Sequence, residues 1–108
     1  MENFISQNYE PLARMIKALA HPTRLFIIEE LSRNRRCVCE LREKIGADMS
    51  TVSKHLSLLK NTGIVEDEKE GTKVIYTLRA SCILPFLKCM DQLLLEQAKE
   101  RLQLLKRS

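Results

Sequence analysis

The alternation of apolar and polar positions divides the chain into five helical stretches and one hairpin. Apolar residues recur at helical spacing over residues 4–20, 22–36, 39–45, 47–61 and 81–107, which predicts amphipathic helices. Residues 64–69 and 73–78 have strand character, and Glu70, Gly71 and Thr72 predict the turn between them. His21 and Pro22 separate the first two helices. The pattern therefore predicts a mainly α fold with one small β-hairpin.

The stretch over residues 47–61 has a defined start and stop. Asp48 can accept a hydrogen bond from the free amides of the first turn, and Gly63 can adopt the left-handed conformation that ends a helix. Val52, Leu56 and Leu59 form one apolar stripe between these ends. We therefore expect this helix to bury one face and to present the other.

The presented face carries small hydroxyls and one cation, with no carboxylate after the cap: Ser50, Thr51, Ser53, Lys54 and Ser57. An ordinary surface helix usually mixes both charge signs, whereas this face suits contact with a polyanion. Hydroxyls and lysine can bond phosphates and base edges in a major groove. With the short helix over 39–45, the turn and the hairpin, the pattern predicts a winged helix-turn-helix that binds double-stranded DNA.

The last helix has an apolar arc wider than one small core can cover. Its near-heptad stripe comprises Ile83, Leu87, Met90, Leu94, Ala98, Leu102 and Leu105, and Phe86, Leu93 and Leu95 widen it. A membrane-surface helix is the rival interpretation, which Asp91, Glu96 and Glu100 weaken. We predict a homodimer in which the first and last helices pack against their copies.

Composition bounds the class of protein. The 108 residues predict a single domain spanning residues 1–108, with a net charge of +4. Residues 66–70 carry a local charge of −3, so the remainder carries +7. No signal peptide or membrane span is recognised, so we expect a cytoplasmic protein without a membrane partner. The four cysteines are accordingly expected to be thiols rather than disulfides.

Cys37 and Cys39 form the strongest candidate for an ion-binding site. The start of a helix and the nearby Arg33, Arg35 and Arg36 favour the thiolate form. Thiolates bind soft, thiophilic ions. Because side chains two apart point the same way only in extended backbone, the pair is predicted to straddle the helix start. The competing interpretation is a pair of small buried hydrophobes.

Four motifs together resemble the ArsR/SmtB family of winged-helix, metal-responsive repressors. They are Ala20-His-Pro-Thr-Arg-Leu25, Cys37-Val-Cys-Glu-Leu41, Ser50-Thr-Val-Ser-Lys-His-Leu56 and Leu59-Lys-Asn-Thr-Gly-Ile-Val65. The resemblance implies a homodimer that binds operator DNA without any cofactor. It also implies a structural role for His21, in agreement with the turn or capping role expected of a lone histidine beside proline.

The second motif resembles the inducer loop of arsenite-responsive and cadmium- or lead-responsive members. The resemblance implies arsenite or antimonite as inducer, with cadmium, lead, or a thiol-redox or persulfide signal as alternatives. Two departures are visible: Arg42 stands where arsenite-responsive relatives often have a third cysteine, and Met49 stands where relatives often have glutamine.

A third thiolate is therefore sought among the remaining cysteines. Cys82 and Cys89 are seven residues apart in the predicted last helix, and we expect one of them, preferably Cys89, to complete the site from the same or the partner subunit. Core or rim packing is the competing interpretation. A zinc or nickel site on that helix is not expected, because it contains no histidine.

The flanks of the predicted DNA-binding face carry one histidine and the two lysines of the wing. His55 is expected to be partly buried and to orient the helix, although the resemblance permits a base contact. Lys69 and Lys73 in the wing can reach phosphates, but four acids surround them, so we expect a small contribution. An enzyme such as a small thiol reductase is disfavoured, because the chain has neither a C-x-x-C motif nor a C-x5-R phosphate loop.

Overall fold

Five helices and a three-stranded antiparallel sheet make up the computed structural model, which describes residues 1–107. The elements in chain order are α1 (Glu2–Leu19), α2 (Pro22–Arg33), β1 (Arg36–Cys37), α3 (Val38–Ile45), α4 (Met49–Asn61), β2 (Val65–Glu70), β3 (Lys73–Leu78) and α5 (Ile83–Arg107). The predicted mainly α winged helix-turn-helix is confirmed. No helix in the described part of the chain is long and apolar enough to cross a membrane.

Side-chain caps fix the starts of the central helices where the sequence predicted them. His21 precedes α2 and accepts the Thr23 amide at Nδ1 over 3.1 Å, which confirms its capping role. Asp48 accepts the Thr51 amide over 3.0 Å and begins α4. Gly63 follows α4 with φ of 81°, a conformation that costs glycine little. These local signals set the two ends of α4.

Two helix starts and one short strand differ from the predictions. α1 begins at Glu2, two residues before the predicted start, and Pro11 lies inside the helix at the cost of one backbone hydrogen bond. β1 is a strand of two residues, too short to leave a sequence pattern. α5 begins at Ile83, so Ser81 and Cys82 lie in the turn before it. The expectation that both Cys82 and Cys89 lie in the last helix is therefore wrong for Cys82.

The sheet has the strand order β1-β3-β2. β2 and β3 form the hairpin of the wing, with Glu70 opposite Lys73 next to the turn. β1 pairs with the other edge of β3, which sets Arg36 opposite Tyr76 and Cys37 opposite Ile75. This pairing brings the cysteine segment beside the wing.

The core lies between α2, α3, α4 and the base of the wing. Its fully buried apolar side chains include all three residues of the predicted α4 stripe: Ile27, Ile28, Leu41, Val52, Leu56, Leu59, Ile64 and Val65. α1 contributes only Ala18 and Leu19, at its C-terminal end, and α5 contributes no fully buried residue. The helix-turn-helix is thus anchored within the chain, whereas both terminal helices lie largely in solvent.

Candidate nucleic-acid interface and cysteine site

The exposed face of α4 is the candidate nucleic-acid interface. Val52, Leu56 and Leu59 are completely buried. All five predicted polar positions on the same helix are exposed: Ser50, Thr51, Ser53, Lys54 and Ser57. The helix is therefore held by one face, and the other offers hydroxyls and a cation. Such donors suit phosphate and base-edge contacts.

Asp48, the N-cap of α4, is the carboxylate closest along the chain to this face. Hydrogen bonds from Thr51 hold the pKa of its carboxyl group below the ordinary value. The carboxylate therefore stays bonded to the N-terminal end of α4. The positive end of the helix dipole partly offsets its charge, so it repels a nearby phosphate less strongly.

Beyond the predicted residues, Arg14 of α1 lies along the same face. A groove of about 560 Å³ is lined by Arg14, Ser53, Lys54, Ser57, Leu58, Asn61 and Thr62. Arg14 also pairs with the exposed Glu10 over 3.1 Å. Sequence reasoning missed this cation, because only the packing of α1 against α4 brings it to the interface.

His55 is half-buried at the edge of α4, as expected for an orienting residue. Its ring lies against that of His21, with the ring centroids 4.5 Å apart. Burial, together with the nearby His21 and Arg24, lowers the pKa of His55. The neutral imidazole thus joins the cap of α2 to α4, and this packing supports a positioning role.

The wing presents two exposed lysines, Lys69 and Lys73, among acids that are mostly paired. The carboxylates of Glu66, Asp67 and Glu70 pair with Arg79, Lys60 and Arg35 at 3.5, 3.0 and 2.8 Å. The sequence could not show these pairs, one of which spans 35 positions along the chain. Repulsion of phosphate by the wing is therefore weaker than four unpaired acids predict.

Cys37 and Cys39 straddle the start of α3, as predicted. Cys37 is 2% exposed and ends β1, whereas Cys39 is exposed within the helix. The Cys37 sulfur accepts the Glu40 amide over 3.3 Å, and the Glu40 carboxylate accepts the Cys37 amide over 3.2 Å. This reciprocal pair is a capping box in which a sulfur replaces the usual hydroxyl.

The two sulfurs are joined in a disulfide, with Cα atoms 5.3 Å apart. The expectation of four thiols is therefore wrong for this pair and right for Cys82 and Cys89, which are free. The extended backbone at Cys37 allows the pairing, because it turns both side chains to the same side.

A groove of about 350 Å³ joins the cysteine pair to the candidate nucleic-acid interface. It is lined by Cys37, Val38, Cys39, Met49, Ser53, Thr72, Lys73 and Val74. Ser53 and Lys73 are both predicted DNA contacts. The candidate ion-binding residues and the candidate DNA-binding residues therefore border one surface depression.

A buried carboxylate ties this region to α2. Glu30 is 5% exposed, and its carboxylate lies 2.7 Å from Lys44, 3.6 Å from Arg33 and 3.7 Å from Arg36. The hydrogen bond from Lys44 lowers the pKa of Glu30 despite its burial. Arg36 also pairs with Glu40 over 3.3 Å. The capping box of Cys37 is thus linked by ion pairs to both α2 and α3.

The remaining cysteines lie elsewhere. Cys82 borders an apolar groove of about 340 Å³ between α1 and the start of α5, beside Leu12, Ile16 and Phe86. Cys89 is exposed on α5. Across residues 1–107, no three side chains of histidine, cysteine, aspartate or glutamate come together as an ion site. One chain therefore does not bring a third thiolate to Cys37 and Cys39.

Comparison with known proteins places this geometry in a family. The family model described as "Bacterial regulatory protein, arsR family" matches residues 21–67, the span from the cap of α2 into the wing. An HTH-type transcriptional regulator from Methanocaldococcus jannaschii is 36% identical over 88 residues, which cover 81% of this chain and 99% of that protein. The chain belongs to the arsR family of transcriptional regulators. Its relatives are regulators with a DNA-binding fold rather than enzymes.

Two further matches inform the function of this arsR-family regulator. The CadC homolog of Staphylococcus aureus, a cadmium resistance transcriptional regulatory protein, is 40% identical over 78 residues, covering 71% of this chain and 64% of its own length. A homodimeric winged helix-turn-helix DNA-binding domain from Mycobacterium bovis, described as a possible ArsR-family regulator, superposes with a TM-score of 0.73 at 30% identity, covering 82% of this chain and 84% of that one.

Proposed function

We propose that this regulator is a dimeric repressor that binds operator DNA through α4 and is released by arsenite or antimonite at Cys37 and Cys39. The observation that carries the proposal is the groove shared by the cysteine pair, Ser53 of α4 and Lys73 of the wing. An ion held by the cysteines lies next to groups that contact DNA. Binding of the ion and binding of the operator are therefore coupled.

The proposed dimer follows from the apolar side chains of the terminal helices. Those exposed on α1 and α5 include Phe4, Ile5, Leu12, Ile16, Phe86, Met90, Leu93, Leu94 and Leu102. So many large apolar side chains exposed on two helices mark an interaction site. The homodimeric relative from Mycobacterium bovis supports a second copy as the partner. A two-fold dimer would present its two α4 helices to successive major grooves of a pseudo-palindromic operator.

Release begins at the capping box of α3. The Cys37 sulfur accepts the Glu40 amide at the start of that helix. A bond from the same sulfur to an ion redirects its lone pairs and shifts the first turn of α3. Because α3 packs on α4, the two α4 helices move out of register with the DNA. A coupling of about 1–3 kcal/mol is sufficient for regulation.

The ion requires the reduced form of the pair, since thiolates are the ligands. The relative from Staphylococcus aureus supports a thiophilic ion as inducer and keeps cadmium or lead as the alternative. A further ligand has to come from the partner subunit, where Cys89 is preferred to Cys82, or from a residue other than histidine, cysteine, aspartate or glutamate.

The test is an operator-binding titration of the reduced protein with each candidate ion. Fluorescence anisotropy of a labelled duplex measures affinity with and without arsenite, antimonite, cadmium and lead. We expect arsenite and antimonite to lower affinity by about 5–150-fold, the usual range of allosteric coupling. Unchanged affinity with all four ions would contradict the effector part of the proposal, and absence of binding to any duplex would contradict the DNA part.

A redox response is a second candidate, favoured by the disulfide between Cys37 and Cys39. Formation of the disulfide from two thiols passes two electrons and two protons to an oxidant such as hydrogen peroxide, which is reduced to two molecules of water. The same titration, comparing reduced and peroxide-treated protein without metal, tests this function. Operator affinity that differs at least fivefold between the two states supports it, and equal affinity excludes it.

A further inference from the structure

Met49 carries a thioether sulfur and lines the cysteine groove. It is the first residue of α4, its side chain is 40% exposed, and it lines the groove together with Cys37 and Cys39. We propose that Met49 supplies the third sulfur to the reduced cysteine pair and that this site binds Cu(I). The regulatory consequence rests on the proposed function, whereas the ion site itself does not.

The cysteine pair is already arranged to converge on one ion. The Cα atoms are 5.3 Å apart and the sulfurs meet in a disulfide. A thiol reductant that donates two electrons and two protons converts the disulfide to two thiols. Ligands on one ion lie within about 4 Å of each other when metal–sulfur bonds are about 2.3 Å. The reduced sulfurs therefore need only small side-chain rotations to share an ion.

Met49 has a fixed backbone and an adaptable side chain. The cap from Asp48 to the Thr51 amide, at 3.0 Å, holds the first turn of α4. The side chain itself is unbranched and has several rotatable bonds, so it can fit an irregular space. Its exposure leaves room for that rotation. The sulfur can therefore approach the pair without unfolding any element.

The donor set determines the ion. Thiolate and thioether ligands together select Cu(I), whereas harder ions prefer nitrogen and oxygen. When Cu(I) binds, it displaces the protons of the two thiols, so the site changes from neutral to a single net negative charge and two protons leave to solvent. Ser53 and Lys73, proposed here as DNA contacts, line the same groove. Added negative charge at that position repels phosphate, so Cu(I) would release the operator electrostatically as well as through α3.

The first test counts sulfurs on Cu(I) bound to the reduced full-length protein under anaerobic conditions. X-ray absorption should show about three sulfurs in the wild type and two in Met49→Leu, a substitution that conserves volume. In competition with a Cu(I) chelator, Met49→Leu should bind Cu(I) more weakly than the wild type by at least about 10–100-fold. That is the loss of affinity caused by removing a residue that only hydrogen-bonds a metal ligand.

Matched variants separate Met49 from the other donors. Met90→Leu makes the same substitution on α5 and should retain three sulfurs and wild-type Cu(I) affinity. Cys82→Ser and Cys89→Ser should also retain three. Two sulfurs in the wild type, or three in Met49→Leu with two in Cys89→Ser, would overturn the proposal, the latter in favour of a thiolate from α5.

The second test measures operator affinity with Cu(I) at two salt concentrations. We expect Cu(I) to release the wild-type protein, with the release diminishing at high salt because the repulsion is screened. A three-sulfur site that depends on Met49, with no effect of any thiophilic ion on DNA binding, would confirm the site and overturn the regulatory function. Normal release by arsenite with unaltered Cu(I) ligation in Met49→Leu would overturn only the site.

Discussion

Apolar surface is buried in the central unit, residues 22–78, and is left exposed on the terminal helices α1 and α5. In the central unit, Ile27, Leu41, Leu56 and Ile64 are almost completely buried within one chain. In the described residues of α5, which is the longest helix with 25 residues, no side chain is fully buried. The apolar stripe of α4 is thus buried within its own chain, whereas the stripe of α5 remains exposed and available to another surface.

This difference separates the candidate sites from the surface of assembly. The proposed DNA-binding face, the wing and the Cys37–Cys39 pair all lie in the central unit and are positioned by its core. The terminal helices provide the apolar surface proposed to pair two copies. Changes in the central core should therefore act on stability, and changes on the terminal stripe should act on assembly and only then on DNA binding.

The largest effect is expected in the central core. Leu56→Ala removes a completely buried side chain and should lower the free energy of unfolding by about 2–5 kcal/mol. Urea unfolding followed by circular dichroism, at one fixed protomer concentration, measures the change. Leu58→Ala on the same helix, where the side chain is 38% exposed, should cost clearly less. Equal losses in the two variants would contradict the assignment of the buried face.

The next effect tests the terminal stripe. Leu94 is 63% exposed in the single chain, so Leu94→Glu should leave the fold of each chain intact and dissociate the dimer. Loss of the second half-site contact should weaken operator binding by about 100-fold or more. Analytical ultracentrifugation and anisotropy measure the two outcomes. Gln92→Glu adds the same charge on the opposite side of α5 and should preserve both, and a variant Leu94→Glu that remains dimeric would contradict the proposed interface.

Local signals predicted the central unit well because its elements are specified within a few residues. Asp48, Gly63 and the stripe of α4 needed only spacing and capping chemistry, and all three are confirmed. Contacts between distant parts of the chain could not be predicted in this way. The pair of Arg35 with Glu70, the buried carboxylate of Glu30 and the two-residue strand β1 depend on tertiary packing.

The candidate site was predicted in part for the same reason. Spacing identified Cys37 and Cys39 as a pair at a helix start, and the structure confirms that position. Their disulfide, and the presence of Met49 and Lys73 in the same groove, required the fold of β1 against β3. In the sequence, Met49 was notable only because members of the family that this chain resembles often have glutamine at that position.

A smaller effect tests the DNA-binding face. Lys54→Ala should weaken operator binding uniformly across sequences and reduce the slope of log affinity against log salt by about 1 per subunit. Lys60→Ala is the matched control on the same helix, since Lys60 already pairs with Asp67 over 3.0 Å. Ion binding should be unchanged in both variants. A salt slope that changes equally in both would contradict the assignment of Lys54 to a phosphate.

The smallest effect is a pH dependence from His55, whose pKa is lowered by burial. The unfolded histidine titrates near its ordinary pKa of about 6.5, so below that pH the unfolded chain binds more protons than the folded one. Stability contributed by the neutral ring is present above that pH and is lost as the pH falls through the folded pKa. Urea unfolding between pH 7.5 and about 5 should show this decline, and His55→Gln should flatten it. An identical decline in the variant would assign it to other groups.

The central claim is that a thiophilic ion at Cys37 and Cys39 controls the DNA-binding face across their shared groove. The most direct test is operator affinity, with and without arsenite, of the reduced wild type and of the Cys37→Ser/Cys39→Ser double variant. We predict that both proteins bind the operator with similar affinity and that arsenite releases only the wild type. Equal release of both proteins by arsenite would contradict the claim.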